Sequence, residues 1–396
     1  MYKYNNYINF ANNIQIYYFN NKYLQTKNIY YLHDGGAKRD MAYDDKMRLS
    51  KKGIYRKSYK DSNNKVTFKY FYMHNDKQVS NTDLERINAL GLAPAYTDVW
   101  VSLDPTSKIQ AIGFDEKHRK QYRYHPEHIQ TAQENKFLRL YKFIKAVPKL
   151  NKAIDTDKNK PMYSKNRTIA LMLMLIQELN IRVGKECYAQ HNNSYGITSL
   201  KKTHITFGDG LVKFNFKGKS NKNVSYTIRN TEYIKELEKL KELPGEKIFQ
   251  YITDKDLILR VTDVDINKYI QEYMGKSFTC KDFRTYAANF YFVKALLKET
   301  KARSPITNKI IKENLNYAQE NTAFYLRHTK AVSKKSYTMA LIRENYISNP
   351  TWFIEHKNSD PVKVLLDILS IYKKTIIESR SKKKNKLFKD EEESED

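Results

Sequence analysis

Apolar residues follow two kinds of pattern along the chain. From Gly53 to about Tyr72 they alternate with polar ones, most plainly in Lys65-Val66-Thr67-Phe68-Lys69-Tyr70-Phe71-Tyr72 after the turn-forming Asp61-Ser62-Asn63-Asn64, which predicts short strands joined by a turn. Val99 to Val101, Ile109 to Gly113 and Gln121 to Tyr124 predict further strands, and Thr82-Asp83-Leu84-Glu85-Arg86-Ile87 a short helix capped by Thr or Asp and ended at Gly91. Beyond this β-rich stretch a helix is predicted from about Gln133 to Ala146, followed by a polar loop over Asp155-Thr156-Asp157-Lys158-Asn159-Lys160-Pro161. The segment from Thr168 to about Asn180 is apolar nearly all round and predicts the buried centre of a second domain. Strands over His204 to Phe207, Val212 to Phe216 and Val224 to Ile228 form a predicted hairpin pair, and helices dominate after about Asp263. In Lys281 to Glu299, Phe283, Tyr286, Ala287, Phe290 and Leu297 share one helical face, so that face is expected in the core and Arg284 elsewhere.

These elements predict an α+β protein in four parts: an N-terminal extension over 1–45 without a clean period, a β-rich domain over 46–130, a mainly helical domain with a small sheet over 131–355, and a C-terminal helix and tail over 356–396. Asp34-Gly35-Gly36 in the extension reads as a turn. The tail from Arg380 holds six cations and then six acids, sums to zero, and is expected to be disordered.

Charge changes the picture more than size does. The 396 residues carry 71 Lys and Arg against 44 Asp and Glu, a net +27, and a balance of this kind belongs to proteins that meet a polyanion. Nucleic acid is the expected partner, because no apolar run approaches the roughly 20 residues that span a bilayer and no basic amphipathic terminus stands out. Two cysteines, Cys187 and Cys280, are too few for a disulfide framework or a four-sulfur metal site, and no signal-peptide core is visible, so an intracellular location is expected.

Of 32 tyrosines, one has neighbours that suggest chemistry. Tyr337 follows His328 by nine positions, in a stretch that also holds Arg327, Lys330, Lys334 and Lys335. That arrangement suits a nucleophile attacking a phosphodiester, because a phenol with an ordinary pKa near 10 needs cations to stabilise its charge. Planar arginines suit the non-bridging phosphate oxygens, and a lysine could protonate the departing sugar oxygen. Gly218-Lys219-Ser220 is not a nucleotide-binding loop, since Lys213 stands where that loop needs glycine, and no His-Glu-x-x-His pattern occurs.

Several blocks in order resemble the compact type IB DNA topoisomerases of poxviruses, giant viruses and bacteria, from about Gly53 to Ile347. They are Leu84-Glu85-Arg86-Ile87 with Ala93-Pro94-Ala95-Tyr96-Thr97-Asp98-Val99-Trp100, Gln110-Ala111-Ile112-Gly113-Phe114-Asp115 leading into Arg119-Lys120-Gln121-Tyr122-Arg123-Tyr124-His125, and Ile181-Arg182-Val183-Gly184-Lys185-Glu186-Cys187-Tyr188 with Asn193-Ser194-Tyr195-Gly196-Ile197-Thr198-Ser199-Leu200. The resemblance implies Arg182 and Arg284 as phosphate clamps, Lys219 as general acid with Lys217 and Lys222 nearby, His328 as a phosphate-oxygen donor and Tyr337 as nucleophile. It implies that Arg119, Lys120, Gln121, Tyr122 and Tyr124 lie on a DNA-contacting strand, and Lys185, Tyr188 and Lys281 are expected phosphate contacts by position. The fold it implies is a bilobed clamp around duplex DNA. The mechanism it implies is relaxation through a 3′-phosphotyrosyl link, without ATP, cofactor or an obligatory metal, divalent cations at most stimulating.

A monomer is expected, with a site preference on DNA left open. Tyrosine recombinases share this chemistry, but they usually carry histidine three residues before the second arginine, where this chain has Lys281. An architectural DNA-binding protein would explain the charge and not the surroundings of Tyr337.

Overall fold

The computed structural model describes residues 52–116, 118–303 and 306–392. The extension over 1–45, including the turn expected at Asp34-Gly35-Gly36, lies outside them. The chain divides into two compact units, Met1–Lys136 and Phe137–Asp396. The division falls after Lys136 rather than after residue 130, because a helix that begins at Pro126 runs through both positions and no linker marks the boundary.

In the first unit β1 (Ile54–Lys60) and β2 (Val66–Tyr72) pair antiparallel in the register Ile54↔Tyr72 to Lys60↔Val66. The Asp61 carboxylate fixes the turn by accepting the Asn63 and Lys65 amides at 3.0 and 2.9 Å. Next come α1 (Asn81–Ala89), β3 (Thr97–Val101), β4 (Ile109–Phe114) and β5 (Lys120–Tyr124), giving a five-stranded sheet in the order β2-β1-β3-β4-β5. The cap of α1 is Ser80, whose hydroxyl accepts the Asp83 amide at 3.1 Å, and not Thr82 or Asp83. One sheet face carries Ile54, Tyr70, Val99, Val101 and Ala111 against Ile87 of α1. Arg86 joins helix to sheet by donating to Gln110 Oε1 at 3.0 Å and the Ser102 carbonyl at 2.8 Å.

The second unit starts within α2 (Pro126–Asp157), which is longer than Gln133–Ala146 and takes in the start of the predicted loop. Its last residue, Asp157, is buried, but the Tyr269 hydroxyl donates to it at 2.7 Å and Lys160 pairs with it at 2.7 Å, so a carboxylate that looked like loop is satisfied in the core. The apolar helix is α3 (Lys165–Leu179), with Thr168 to Leu173, Leu175 and Ile176 all buried. Then follow α4 (Glu186–Asn192), a sheet of β6 (Ile205–Gly208), β7 (Leu211–Lys217) and β8 (Asn223–Ile228), α5 (Thr231–Glu242), and the small pair β9 (Gln250–Ile252) and β10 (Ile258–Arg260). Six longer helices follow among the described residues: α6 (Asp263–Met274), α7 (Cys280–Ala302), α8 (Asn308–Tyr325), α9 (Ala340–Ser348), α10 (Pro350–Glu355) and α11 (Pro361–Glu392). The core runs from Phe143 of α2 through α3 and the sheet to Phe283 of α7. The expected disordered tail is backbone helix to Glu392, in keeping with the helix propensity of its Lys and Glu residues. Among the described residues no helix is long and apolar enough to cross a membrane.

Candidate active site

Four of the five residues implied as catalytic come together in the second unit. Arg182 follows α3, where Asn180 ends the helix in the left-handed region (φ 54°) and turns the chain. The segment is then held against the 193–200 loop: the Ile197 amide donates to the Arg182 carbonyl and the Thr198 amide to the Val183 carbonyl, both at 2.9 Å. The two backbones meet at Gly184 (φ 78°) and Gly196, where a Cβ on Gly196 would lie 2.5 Å from the Gly184 nitrogen, so the close approach that fixes Arg182 requires glycine.

Arg284 lies in α7 and is 6% exposed, a correction to the expectation that it would point away from the core. Its guanidinium donates to the Asn180 carbonyl and, at 2.7 Å, to the Leu326 carbonyl. One side chain therefore ties the segment before Arg182 to the segment before His328. It also lies 5.6 Å from the centre of the Tyr337 ring. Its Nε is buried without a partner. Burial, and then the neighbouring Arg182, hold its pKa below the ordinary arginine value, so an anion arriving here relieves an existing strain between charges.

His328 stacks on Tyr337 at 5.0 Å between ring centres. Both its ring nitrogens are buried and unpartnered, and burial, with Arg284 and Arg182, brings its pKa down to about 4. The imidazole is thus neutral at neutral pH and offers one N–H. For Tyr337, burial pushes the phenol up, but Arg284 and Arg182, both in hydrogen-bonding reach, outweigh it and leave the pKa below the ordinary value.

Tyr337 ends a π-helical turn, Ser333–Tyr337. Residues that spacing did not single out hold this turn. The fully buried Asn289 donates from Nδ2 to the Tyr337 carbonyl at 3.1 Å and accepts the Met339 amide on Oδ1 at 2.9 Å. Gln319 donates to Ser333 Oγ at 2.6 Å and accepts from Thr338 Oγ1 at 3.1 Å, so its amide links both ends of the turn. Asn289, Gln319, Ser333 and Thr338 are placed at this turn by contacts that spacing along the chain does not show. Gln319→Leu, which keeps the volume and removes both bonds, is expected to leave the buried Ser333 hydroxyl without its donor and the Thr338 hydroxyl with only its 3.3 Å bond to the Ser333 carbonyl, at a cost of about 1 to 3 kcal/mol, read as a lower melting temperature. With Tyr337 no longer held in place, covalent adduct formation should slow more than DNA binding weakens.

Lys219 is exposed on the five-residue connection 218–222 between β7 and β8, where Ser220 and Asn221 have positive φ. No hydrogen bond or ion pair among the described residues joins it to the other four. The same sheet approaches them through Tyr226 of β8, over whose ring Arg327 lies at 5.6 Å.

Of the implied DNA contacts, Lys120, Gln121, Tyr122 and Tyr124 lie on the edge strand β5, and the rings of Tyr122 and Tyr124 stack at 5.8 Å. Asp115 pairs with Arg119 at 2.7 Å and accepts from Gln121 at 2.9 Å. Arg123, inside the same block, is buried and donates to the Leu90 and Gly91 carbonyls at 3.0 and 2.9 Å. Lys185, at the start of α4, Tyr188 and Lys281 are exposed. Among the described residues no group of three or more His, Cys, Asp or Glu could hold a metal ion.

Two family models match the chain: the catalytic core of eukaryotic DNA topoisomerase I over residues 125–353, and the N-terminal domain of bacterial DNA topoisomerase IB over residues 67–115. The DNA topoisomerase 1B of Acanthamoeba polyphaga mimivirus is 52% identical over 341 residues, covering 85% of this chain and 99% of that protein. DNA topoisomerase 1 of rabbit fibroma virus is 24% identical over 291 residues, 70% of this chain and 88% of that protein. DNA topoisomerase 1B of vaccinia virus, strain Copenhagen, is 24% identical over 255 residues, 63% and 75%. Because the core model spans more than half of the sequence and the mimivirus relative is matched along nearly its whole length, the chain belongs to the type IB DNA topoisomerases, in their compact viral form.

Proposed function

We propose that Tyr337 is the nucleophile with which this chain relaxes supercoiled duplex DNA, and that Arg182, Arg284 and His328 hold the phosphate it attacks. The phenolic oxygen forms a bond to phosphorus, the bond to the 5′ oxygen breaks, and that oxygen leaves as a hydroxyl after taking a proton. The free strand rotates, and the 5′ hydroxyl then attacks the 3′-phosphotyrosyl ester and restores the backbone. The ester keeps the energy of the bond it replaces, so no ATP is consumed.

Each side chain has a physical task in this sequence. The two guanidiniums favour the phenolate and meet the charge that grows on the non-bridging oxygens, where a preorganised donor contributes about 2.7 to 4 kcal/mol. Neutral His328 donates one N–H to such an oxygen. Lys219 supplies the leaving-group proton once DNA lies along the β7–β8 connection, a role that typically contributes roughly 10² to 10⁴ in rate. Arg119, Lys120, Gln121, Tyr122, Tyr124, Lys185, Tyr188 and Lys281 contact the DNA. The protein works as an intracellular monomer and requires no cofactor or metal.

One observation carries the assignment: among the tyrosines of the described residues, Tyr337 has two guanidiniums in reach of its phenol and stacks on an imidazole whose nitrogens are both buried and unpartnered. A duplex labelled on the cleaved strand, with its 3′ flank cut short so that the leaving piece diffuses away, tests it. In EDTA the label should transfer to the protein and stay there on denaturation, mapping to Tyr337. Binding without transfer would end the proposal.

A further inference from the structure

We propose that the β1–β2 hairpin is a second DNA-backbone contact surface, on the same sheet face as Lys120, Tyr122 and Tyr124 of β5 and separated from them by the buried Trp100 and Ile112. The inference rests on the DNA-contact reading of β5. Register sets the shared face. Phe71 is opposite Tyr55, Tyr55 opposite Trp100, Trp100 opposite Ile112 and Ile112 opposite Tyr122, and residues paired directly across a sheet lie on the same face. Lys57, Tyr59, Thr67 and Lys69 extend that face outward and are exposed. β3 pairs with β1 at Ile54 and Tyr55, so the rest of the hairpin runs on past it. Seven residues of strand span roughly 20 Å. That is the length of about six nucleotides of one strand at roughly 3.4 Å each.

The chemistry of this face suits phosphates better than bases. Tyr55 and Phe71 stack on each other at 5.7 Å, and the Lys57 ammonium lies 5.2 Å from the centre of each ring. The Lys69 ammonium lies 5.3 Å from the ring of Tyr59. The rings are thus engaged as supports for the ammonium groups. Lys57 and Lys69 also face each other directly in the register, an arrangement that costs a folded sheet stability and that a polyanion relieves. Lysines on an exposed strand also keep it from pairing with another sheet, and that role alone would leave DNA binding unmoved when they are neutralised.

The test is the salt dependence of duplex binding by the full chain and by Lys57→Gln/Lys69→Gln. Two lost phosphate contacts should lower the slope of log K against log salt by about two, so that the affinity ratio of the two proteins narrows about tenfold between roughly 50 and 200 mM salt. Lys57→Arg/Lys69→Arg should keep the full slope, and thermal melts should show both variants folded. An unchanged slope in the folded glutamine variant overturns the proposal. So does a variant that loses binding to phosphatidylserine vesicles but not to DNA. Adduct formation by the unaltered protein separates the two readings: if the hairpin does not bind, the adduct still forms, whereas a wrong assignment of Tyr337 gives no adduct there whatever the slope.

Discussion

Tyr337→Phe is expected to abolish strand cleavage while leaving fold and DNA affinity in place. The substitution removes a single oxygen. The ring keeps its packing against Ala287, Ala288 and Leu326 and its stack on His328, so a structural loss is not expected. What disappears is the atom that both guanidiniums reach. With no nucleophile, cleavage should fall on the order of 10⁶-fold, to below detection, as it does when an enzyme loses its attacking group. The measurement pairs denaturation-trapped adduct with relaxation of a supercoiled plasmid, and with duplex affinity as control. An adduct persisting on another tyrosine would overturn the assignment. The same cause predicts a pH profile: because the arginines outweigh burial, the unaltered enzyme's cleavage rate should rise with pH and level off below the ordinary phenol value of 10.0.

Local spacing singles out Tyr337 with His328 among cations, whereas Arg182 and Arg284 are reached only through the resemblance. Arg182 directly follows a helix whose apolar run is visible, and Tyr337 stands at a fixed offset from His328 among cations. Parts of the β-rich blocks that the resemblance placed in the N-terminal domain are scaffold. In the signature and strand blocks, Arg86 joins α1 to the sheet, Arg123 is bonded to two carbonyls beneath it, and the ring of Tyr96 packs over Gly113. These three residues build the scaffold of the domain, while the proposed DNA contacts Lys120, Gln121, Tyr122 and Tyr124 lie beside Arg123 on β5.

What stayed hidden depends on groups far apart in the chain. Helical spacing put Phe283, Tyr286 and Ala287 on a core face and assigned Arg284 to the other side, but α7 is enclosed on several sides, and Asp282, Arg284 and Asn289 are buried along it as well. Each is satisfied by something no local pattern reveals: Asp282 by Arg139 at 2.6 Å, Arg284 by two carbonyls, Asn289 by the backbone on either side of Thr338. Burial of a polar residue depends on the partner it finds, and the partners are 143, 104 and 42, and 48 and 50 positions away respectively. The π-turn was hidden for the same reason, since Gln319 lies in the helix before it.

Arg284→Lys should therefore be nearly as damaging as loss of the side chain altogether, although the charge is kept. A lysine brings one ammonium on a flexible stem where the arginine brings a planar fork, and a single point charge cannot bond the Asn180 carbonyl, the Leu326 carbonyl and an incoming phosphate together. Two losses follow and can be measured apart. Cleavage at saturating DNA should fall about 10² to 10³-fold, the effect of removing one preorganised donor from a developing oxyanion. Stability should fall by about 1 to 3 kcal/mol, because at least one buried carbonyl is left without a donor. Arg182→Lys provides the contrast. Arg182 is partly exposed, and it is held in place by bonds of its own backbone, so its replacement should reproduce the loss of cleavage with little change in melting temperature. If Arg284→Lys cleaves slowly but melts like the unaltered protein, the carbonyl bonds do not hold the two segments together and Arg284 acts on the phosphate alone. If it melts early but cleaves at the full rate, the phosphate is held by Arg182 and His328, and the role of Arg284 is confined to the scaffold.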